Sequence, residues 1–328
     1  MKQRYRQRLK VGYVGVAFTS YFAEEYNQYG RAIDGLQALS DQLDFDLVSI
    51  AYPVTDVALA EKAANELRAG GVDYLMIQCA SVASGELLPP LASVSPRVGI
   101  WGTPDPDQDG PIKIHSLVAV NHYASIIRRY LGQDGPMFKW FFGHVDDDDF
   151  ILPFVITVRA LQAIKAMSTA TVGWLGGNSP GFYNMEFDPG AVQERLGTRV
   201  IAHDFTEIVD RAHAVDESAA RSVVADLTAA ASEVLTSDSF MEQGARLYLA
   251  LRGLAEANGH AALAVQCWPK FQEIMGIAPC MAYSWLGSED GFAVSCEGDV
   301  PGALSMLLLN ELSDRPGSST LLDMTALD

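Results

Sequence analysis

The chain has 328 residues, 49% of them hydrophobic, and a formal net charge of −18. That length gives room for two domains with substantial cores. The acidic balance argues against nucleic acid or an anionic membrane as partners, because both would repel such a surface, and no run reaches the roughly 18 continuous apolar residues a spanning helix needs.

The first residues, MKQRYRQRLK, are basic, but the apolar run behind them, VGYVGVAF, is short and passes straight into a strand–helix pattern. Lacking a small-residue cleavage site, it does not read as a secretory signal. Apolar runs at 11–18, 47–52, 72–79 and 97–101 predict strands, and helical spacing over 54–69 is closed by Gly70 and Gly71. A helix near 117–131 and a strand near 138–143 complete the first domain, residues 1–149. Short strands alternating with helices imply a parallel sheet covered on both faces. The four aspartates at 146–149 are expected to form a solvated, extended linker, since a cation site needs convergence rather than adjacency.

The second domain, residues 150–312, opens with a helix at about 152–167 and a strand at 171–175. The loop GGNSPG at 176–181 lacks both the Lys-Ser/Thr and the glycine spacing of a phosphate cradle and reads as a turn. Helices follow near 216–235 and 239–257, the latter with Ser239 and Glu242 as a capping box. A strand at 261–267 leads to QCWPKF. His260 reads as a surface residue at a helix end, and His203 has no acidic partner at metal spacing. No internal repeat stands out. The cysteines, at 79, 267, 280 and 296, are too scattered for a disulfide framework or a zinc motif, so free thiols in a cytoplasmic protein are expected.

Between Gly291 and Glu297 the residues alternate as in a half-buried strand, which puts Glu297 at a strand's carboxyl end, where open α/β sheets bind ligands. Asp299 before Pro301 predicts a helix cap. A partly buried Glu must be paired or metal-bound; the residues alone fit an unseen Arg as well as a cation.

The phrases CWPKF, PC, CEGDVPGAL and LLD at 321–323 resemble the L-fucose/L-arabinose isomerase family, in which a strand ending Glu-Gly-Asp is followed by a second acid in an apolar context. Looser matches lie at IWG (100–102), NHYASIIRR (121–129) and FFGH (141–144). The resemblance implies that Glu297 and Asp323 hold a divalent metal, Mn²⁺ or alternatively Mg²⁺, and perform the acid/base work of an aldose–ketose isomerase acting through a cis-enediol. Oxygen-rich coordination suits those ions better than Zn²⁺. It also implies a monosaccharide substrate; at the strand's carboxyl end Gln266 offers an amide for hydroxyls, and Trp268 and Phe271 read either as core aromatics, the default, or as a face for the ring's C–H side. Trp101 and His122 would reach a neighbouring subunit's sugar in a homo-oligomer, a trimer or hexamer in the full-length family. Members of that family continue into a third domain carrying a metal-binding His. All six histidines here precede Glu297, so residues 313–328 are expected to begin a truncated third domain and the isolated chain to be inactive. The rival expectation is a cytosolic sugar-binding or sensor module without catalysis. A nicotinamide enzyme is disfavoured because VGYVGVAF lacks the glycines of a pyrophosphate turn.

Overall fold

The computed structural model describes residues 7–107, 109–313 and 319–321. Asp323, and most of the segment expected to begin a third domain, lie outside these residues. The chain divides into two compact units, the first Arg8–Gln162 and the second beginning at Ala163.

In the first unit the chain runs β1 (Leu9–Val16), α1 (Gln28–Leu43), β2 (Phe45–Ser49), α2 (Val57–Ala69), β3 (Tyr74–Cys79), α3 (Leu88–Ala92), β4 (Arg97–Gly102), α4 (Ser116–Ile126) and β5 (Met137–Phe142). All strands are parallel in the order β2-β1-β3-β4-β5. Alternate residues of β1, β3 and β4 feed two cores. Val14, Leu75, Ile77, Val98 and Ile100 meet α2, α3 and α4, while Val11, Tyr13, Tyr74, Met76 and Trp101 meet α1 and α5 (Asp148–Thr169). A sheet so buried on both faces needs apolar side chains on both sides of each strand, which is why these strands are continuous apolar runs rather than alternating ones.

The aspartate run does not form an extended linker. His144 N–H donates to the Asp147 carboxylate at 2.7 Å, and Asp148 and Asp149 open α5, where negative charge is favoured by the helix dipole. The division between the units falls inside this helix. Helix α5 is long and apolar enough to cross a membrane by composition alone, but Phe150, Phe154, Val158 and Leu161 form a stripe buried in the first unit's core, as in a core helix.

The second unit repeats the plan with β6 (Thr171–Leu175), α6 (Pro189–Leu196), β7 (Arg199–His203), α7 (Phe205–His213), α8 (Glu217–Ala230), α9 (Asp238–Asn258), β8 (Ala262–Val265), α10 (Lys270–Met275), α11 (Cys280–Ser288), β9 (Ala293–Ser295) and α12 (Val300–Leu312). Its parallel order is β7-β6-β8-β9. The doubly wound α/β expectation therefore holds for both units. Helix α12 covers Val172, Ala262, Ala264 and Ala293; α7, α9 and α11 cover Leu175, Leu263, Val265 and Val294. The N-cap of α9 is Ser237, whose hydroxyl accepts from Phe240 N–H, so the expected capping box at Ser239 does not form; Glu242 instead pairs with Arg246 at 2.7 Å.

The two units also share strand phrases. VGYVG at 11–15 lies on β1 and VGWLG at 172–176 runs along and just past β6, the equivalent strand; IQC at 77–79 ends β3, and VQC at 265–267 starts on the last residue of its equivalent β8. Read without the topology these short phrases do not declare a repeat. With it they align position by position.

Candidate functional site

In the second unit the strand order reverses between β6 and β8, the switch point at which open α/β sheets leave a crevice beyond their carboxyl ends. Three loops meet there. Residues 176–179 leave β6, with φ of +78° at Gly176 and +83° at Gly177. Residues 266–268 leave β8, and 296–298 leave β9. They are tied by backbone bonds: Ser179 N–H donates to Glu297 O at 2.9 Å and Gly298 N–H to Val265 O at 3.0 Å. A Cβ on Gly298 would fall 2.2 Å from Gly177 O, so only glycine allows this approach.

Strand β9 is shorter than the alternation suggests, and Glu297 lies past its end with φ of +61°. A left-handed conformation at a residue with a Cβ costs on the order of 1 kcal/mol and is sustained only where neighbours enforce it. It takes Glu297 out of strand alternation and gathers its carboxylate with two thiols: Cys267 Sγ, Cys296 Sγ and a Glu297 oxygen all lie within 4.8 Å of one another. Cys267 extends the face of Leu263 and Val265, and Cys296 that of Val294, so alternation on two adjacent strands delivers both sulfurs to one side. The Cys296 thiol donates to Glu297 Oε1 at 3.9 Å, and the neighbouring Cys267, burial and the Glu297 charge together push the Cys296 thiol up.

Around this trio, polar atoms are buried without a partner: Glu297 Oε2, Gln266 Oε1, Ser179 Oγ and Tyr283 Oη. The Tyr283 hydroxyl is pushed well up, first by burial and then by Cys296, Cys267, Cys280 and Glu297. Buried polar groups left unmade cost about 1–3 kcal/mol each, and their gathering near these strand ends marks the region as the candidate site. The first unit makes the contrast. There Tyr13, on β1, donates its hydroxyl to Gln78 Oε1 at 2.5 Å. At the equivalent position of β6 stands Trp174, whose indole N–H donates instead to Gly298 O at 3.1 Å. Gln266, equivalent to Gln78, gives its amide N–H to Asn178 O at 3.3 Å and keeps its oxygen free.

Trp268 stands 51% exposed beside the crevice, and Lys270 Nζ donates to Gly176 O at 3.3 Å. Phe271 does not open onto it. With no exposed surface and its ring centroid 4.6 Å from that of Phe205, it belongs to the core under α9. Trp101, expected to reach a neighbour's sugar, is also a core residue, 1% exposed, its ring centroid 4.4 Å from that of Phe150 with the planes tilted by 33°, and donating to Gly143 O at 2.8 Å. His122 is exposed on α4, beside a groove of about 400 Å³ lined by Asn121, Arg128, Arg129, Phe138 and Trp140 among others.

Two histidines depart from their sequence readings. His260 is fully buried rather than at the surface, lying over Gly173 with its Nε2 2.8 Å from His203 Nε2. His203 does have an acidic partner, Glu207, at 3.1 Å from its Nδ1. The signal was present: a His ending a strand and a Glu one helical turn into the next helix.

No protein-family model matches the chain. Curated relatives do. A sulfoquinovose isomerase from Alkalicoccus urumqiensis is 27% identical over 245 residues, covering 74% of this chain and 54% of its own length. Proteins of the same name from Priestia megaterium (23% over 264 residues, 79% and 57%) and a Clostridium species (26% over 227 residues, 66% and 48%) also match. The chain thus spans about half the length of the curated relatives it matches. A solved structure, an ABC transporter periplasmic solute binding protein from Actinobacillus succinogenes 130z with bound D-allose, is 11% identical over 93% of this chain and 92% of that one, at a TM-score of 0.22; so low a score bears on neither fold nor function.

Proposed function

We propose that this chain carries the carboxylate centre of a sugar aldose–ketose isomerase, and that its substrate is a monosaccharide. The observation that carries the reading is the set of unpartnered acceptors around Glu297 at the switch point, supported by relatives named as isomerases of a sugar. Isomerisation moves a proton from C2 to C1 through an enediol while the hydroxyl proton passes from O2 to O1. Glu297, partly buried and with its Oε2 lacking a hydrogen-bond partner, is the group to take and return the carbon-bound proton. Gln266 Oε1 and Ser179 Oγ offer hydrogen bonds to sugar hydroxyls, and the Trp268 ring offers a face to the C–H side.

Metal dependence belongs to the same proposal. Glu297 would hold the ion, together with Asp323 on the strength of the family resemblance, and a bound divalent cation polarises the carbonyl and eases loss of the adjacent hydroxyl proton. The resemblance names Mn²⁺ or Mg²⁺; two thiols beside the carboxylate favour a softer ion. Assembly into a homo-oligomer in the cytoplasm is likewise carried over from the resemblance and the thiol content.

The test incubates the protein in D₂O with sulfoquinovose, fucose, arabinose and related aldoses and follows ketose formation and deuterium entry by NMR. Little or no turnover is expected of the chain alone; joined to the remaining length of a relative it should turn over, and that turnover should fall at least a hundredfold in Glu297→Gln, with folding intact by circular dichroism. Undiminished turnover in that variant would remove Glu297 from the chemistry, and sugar binding without exchange in the unsubstituted joined protein would favour the sensor alternative.

A further inference from the structure

The donor set around Glu297 differs from the oxygen-rich site that the family resemblance implies. The geometry points to a binding site for a thiophilic divalent cation of the Zn²⁺ class, held by the Cys267 and Cys296 thiolates and the Glu297 carboxylate, the three donors that meet there among the described residues. The inference shares Glu297 with the isomerase reading but does not depend on turnover.

Four observations carry it. Donors bound tetrahedrally at about 2.0–2.3 Å sit roughly 3.3–3.8 Å apart; Cys296 Sγ and Glu297 Oε1 are 3.9 Å apart and all three donors fit within 4.8 Å, so an ion is accommodated by small side-chain rotations. The Glu297 Oε2 atom is buried without a hydrogen bond, and among the described residues no Lys, Arg or His forms an ion pair with this carboxylate; a cation supplies the missing charge. The left-handed backbone at Glu297 turns the carboxylate toward the sulfurs, a conformation of the kind that persists at functional sites. Lastly, each donor is anchored: Cys267 follows β8, Cys296 follows β9, and Gly298 N–H to Val265 O locks the two strand ends together. Thiolate ligands select Zn²⁺ and its spectroscopic surrogate Co²⁺ over Mn²⁺ and Mg²⁺. Three protein ligands is the count of catalytic rather than structural zinc sites, and Tyr283 Oη, close enough to feel Cys296, Cys267 and Glu297, is a free polar atom beside them.

The experiment strips the reduced protein with a chelator and titrates Co²⁺, reading the near-ultraviolet thiolate-to-cobalt charge-transfer absorption, then displaces Co²⁺ with Zn²⁺ and separately with Mn²⁺. The expected result is one Co²⁺ per chain with a charge-transfer band, complete displacement by stoichiometric Zn²⁺, and none by a hundredfold excess of Mn²⁺. Cys267→Ser and Cys296→Ser should each lose most of the band and weaken Zn²⁺ at least tenfold, whereas Cys280→Ser, at an exposed thiol, should leave both unchanged. Circular dichroism establishes that the variants fold, and Glu297→Gln, which spares the thiols, gives a second route should a cysteine variant not. A Mn²⁺ preference, Co²⁺ uptake without the sulfur band, or Zn²⁺ affinity unchanged in both cysteine variants would overturn the inference. Metal selectivity and sugar turnover are read separately. Zn²⁺ uptake with no isomerisation even when the chain is joined to the remaining length of a relative sinks the isomerase reading alone, and isomerisation with Mn²⁺ bound through oxygen ligands sinks this one alone.

Discussion

The buried histidine pair makes the stability of the second unit depend on pH in a direction the structure dictates. His260 Nδ1 lies 3.2 Å from Thr171 Oγ1, which itself donates to Gly259 O at 3.0 Å, and His260 Nε2 lies 2.8 Å from His203 Nε2. His203 Nδ1 faces Glu207, whose other oxygen accepts from Arg211 at 3.0 Å. With His260 Nδ1–H donating to Thr171, its Nε2 accepts from His203 Nε2–H, and a proton placed on that Nε2 would break this bond in a dry interior. Burial first, and then His203, push His260 from 6.5 down to about 4. Between those values the unfolded chain binds the proton and the folded one does not, so stability rises with pH across that window, is complete above about 6.5, and is lost as pH falls to about 4. A shift of that size corresponds to at most about 3 kcal/mol, and screening at the partly exposed Glu207 leaves roughly 2. Urea unfolding of wild type and His260→Gln, each at pH 4.5 and 7.5, isolates the effect, because every other carboxylate titrates in both. Wild type should lose about 2 kcal/mol more than the variant on acidification. Equal losses would refute the argument.

How much of this was legible in the chain varies with the range of the interaction. Strand positions were, because β1, β3, β4 and β6 are apolar runs bounded by turn residues, and so was the α12 cap, because Asp299 before Pro301 is a local signal. The site was legible only in part. Strand alternation brings Glu297 to the end of β9 but sends its side chain to the wrong face, since φ of +61° is imposed by loop 176–179 packing from another strand. Cys267 and Cys296 meet because β8 and β9 are neighbours, a pairing that the spacing between them conceals. His260 read as a surface residue for the same reason: the cavity it fills exists because Gly173, on β6, has no side chain. Phe271 and Trp101 failed in the opposite sense. Motif placement suggested a cleft, and packing gave each to a core that needed its volume.

Substitutions at three further positions follow from the same geometry. Gly298→Ala puts a Cβ at φ of +74° and 2.2 Å from Gly177 O, so it should cost about 2 kcal/mol or more, read as a lowered Tm, and disturb the crevice. Asp299→Ala removes the cap bond to Gly302 N–H at 2.9 Å and should cost about 1 kcal/mol in chemical denaturation. The last bears on whether Gln266 is a binding group at all. Trp174 occupies the position that Tyr13 fills on β1, and Tyr13 satisfies Gln78, the counterpart of Gln266. Trp174→Tyr should therefore offer Gln266 Oε1 a hydroxyl donor from within the protein and compete with any sugar hydroxyl that needs it, whereas Trp174→Phe leaves that oxygen free. Both variants lose the bond to Gly298 O, so their shared loss of stability cancels. A hydrogen bond worth about 1 kcal/mol corresponds to roughly a fivefold difference in sugar affinity, weaker in the tyrosine variant. Equal affinities by calorimetry, in two variants that both fold, would mean that Gln266 meets no ligand and that its free oxygen is a feature of the fold alone.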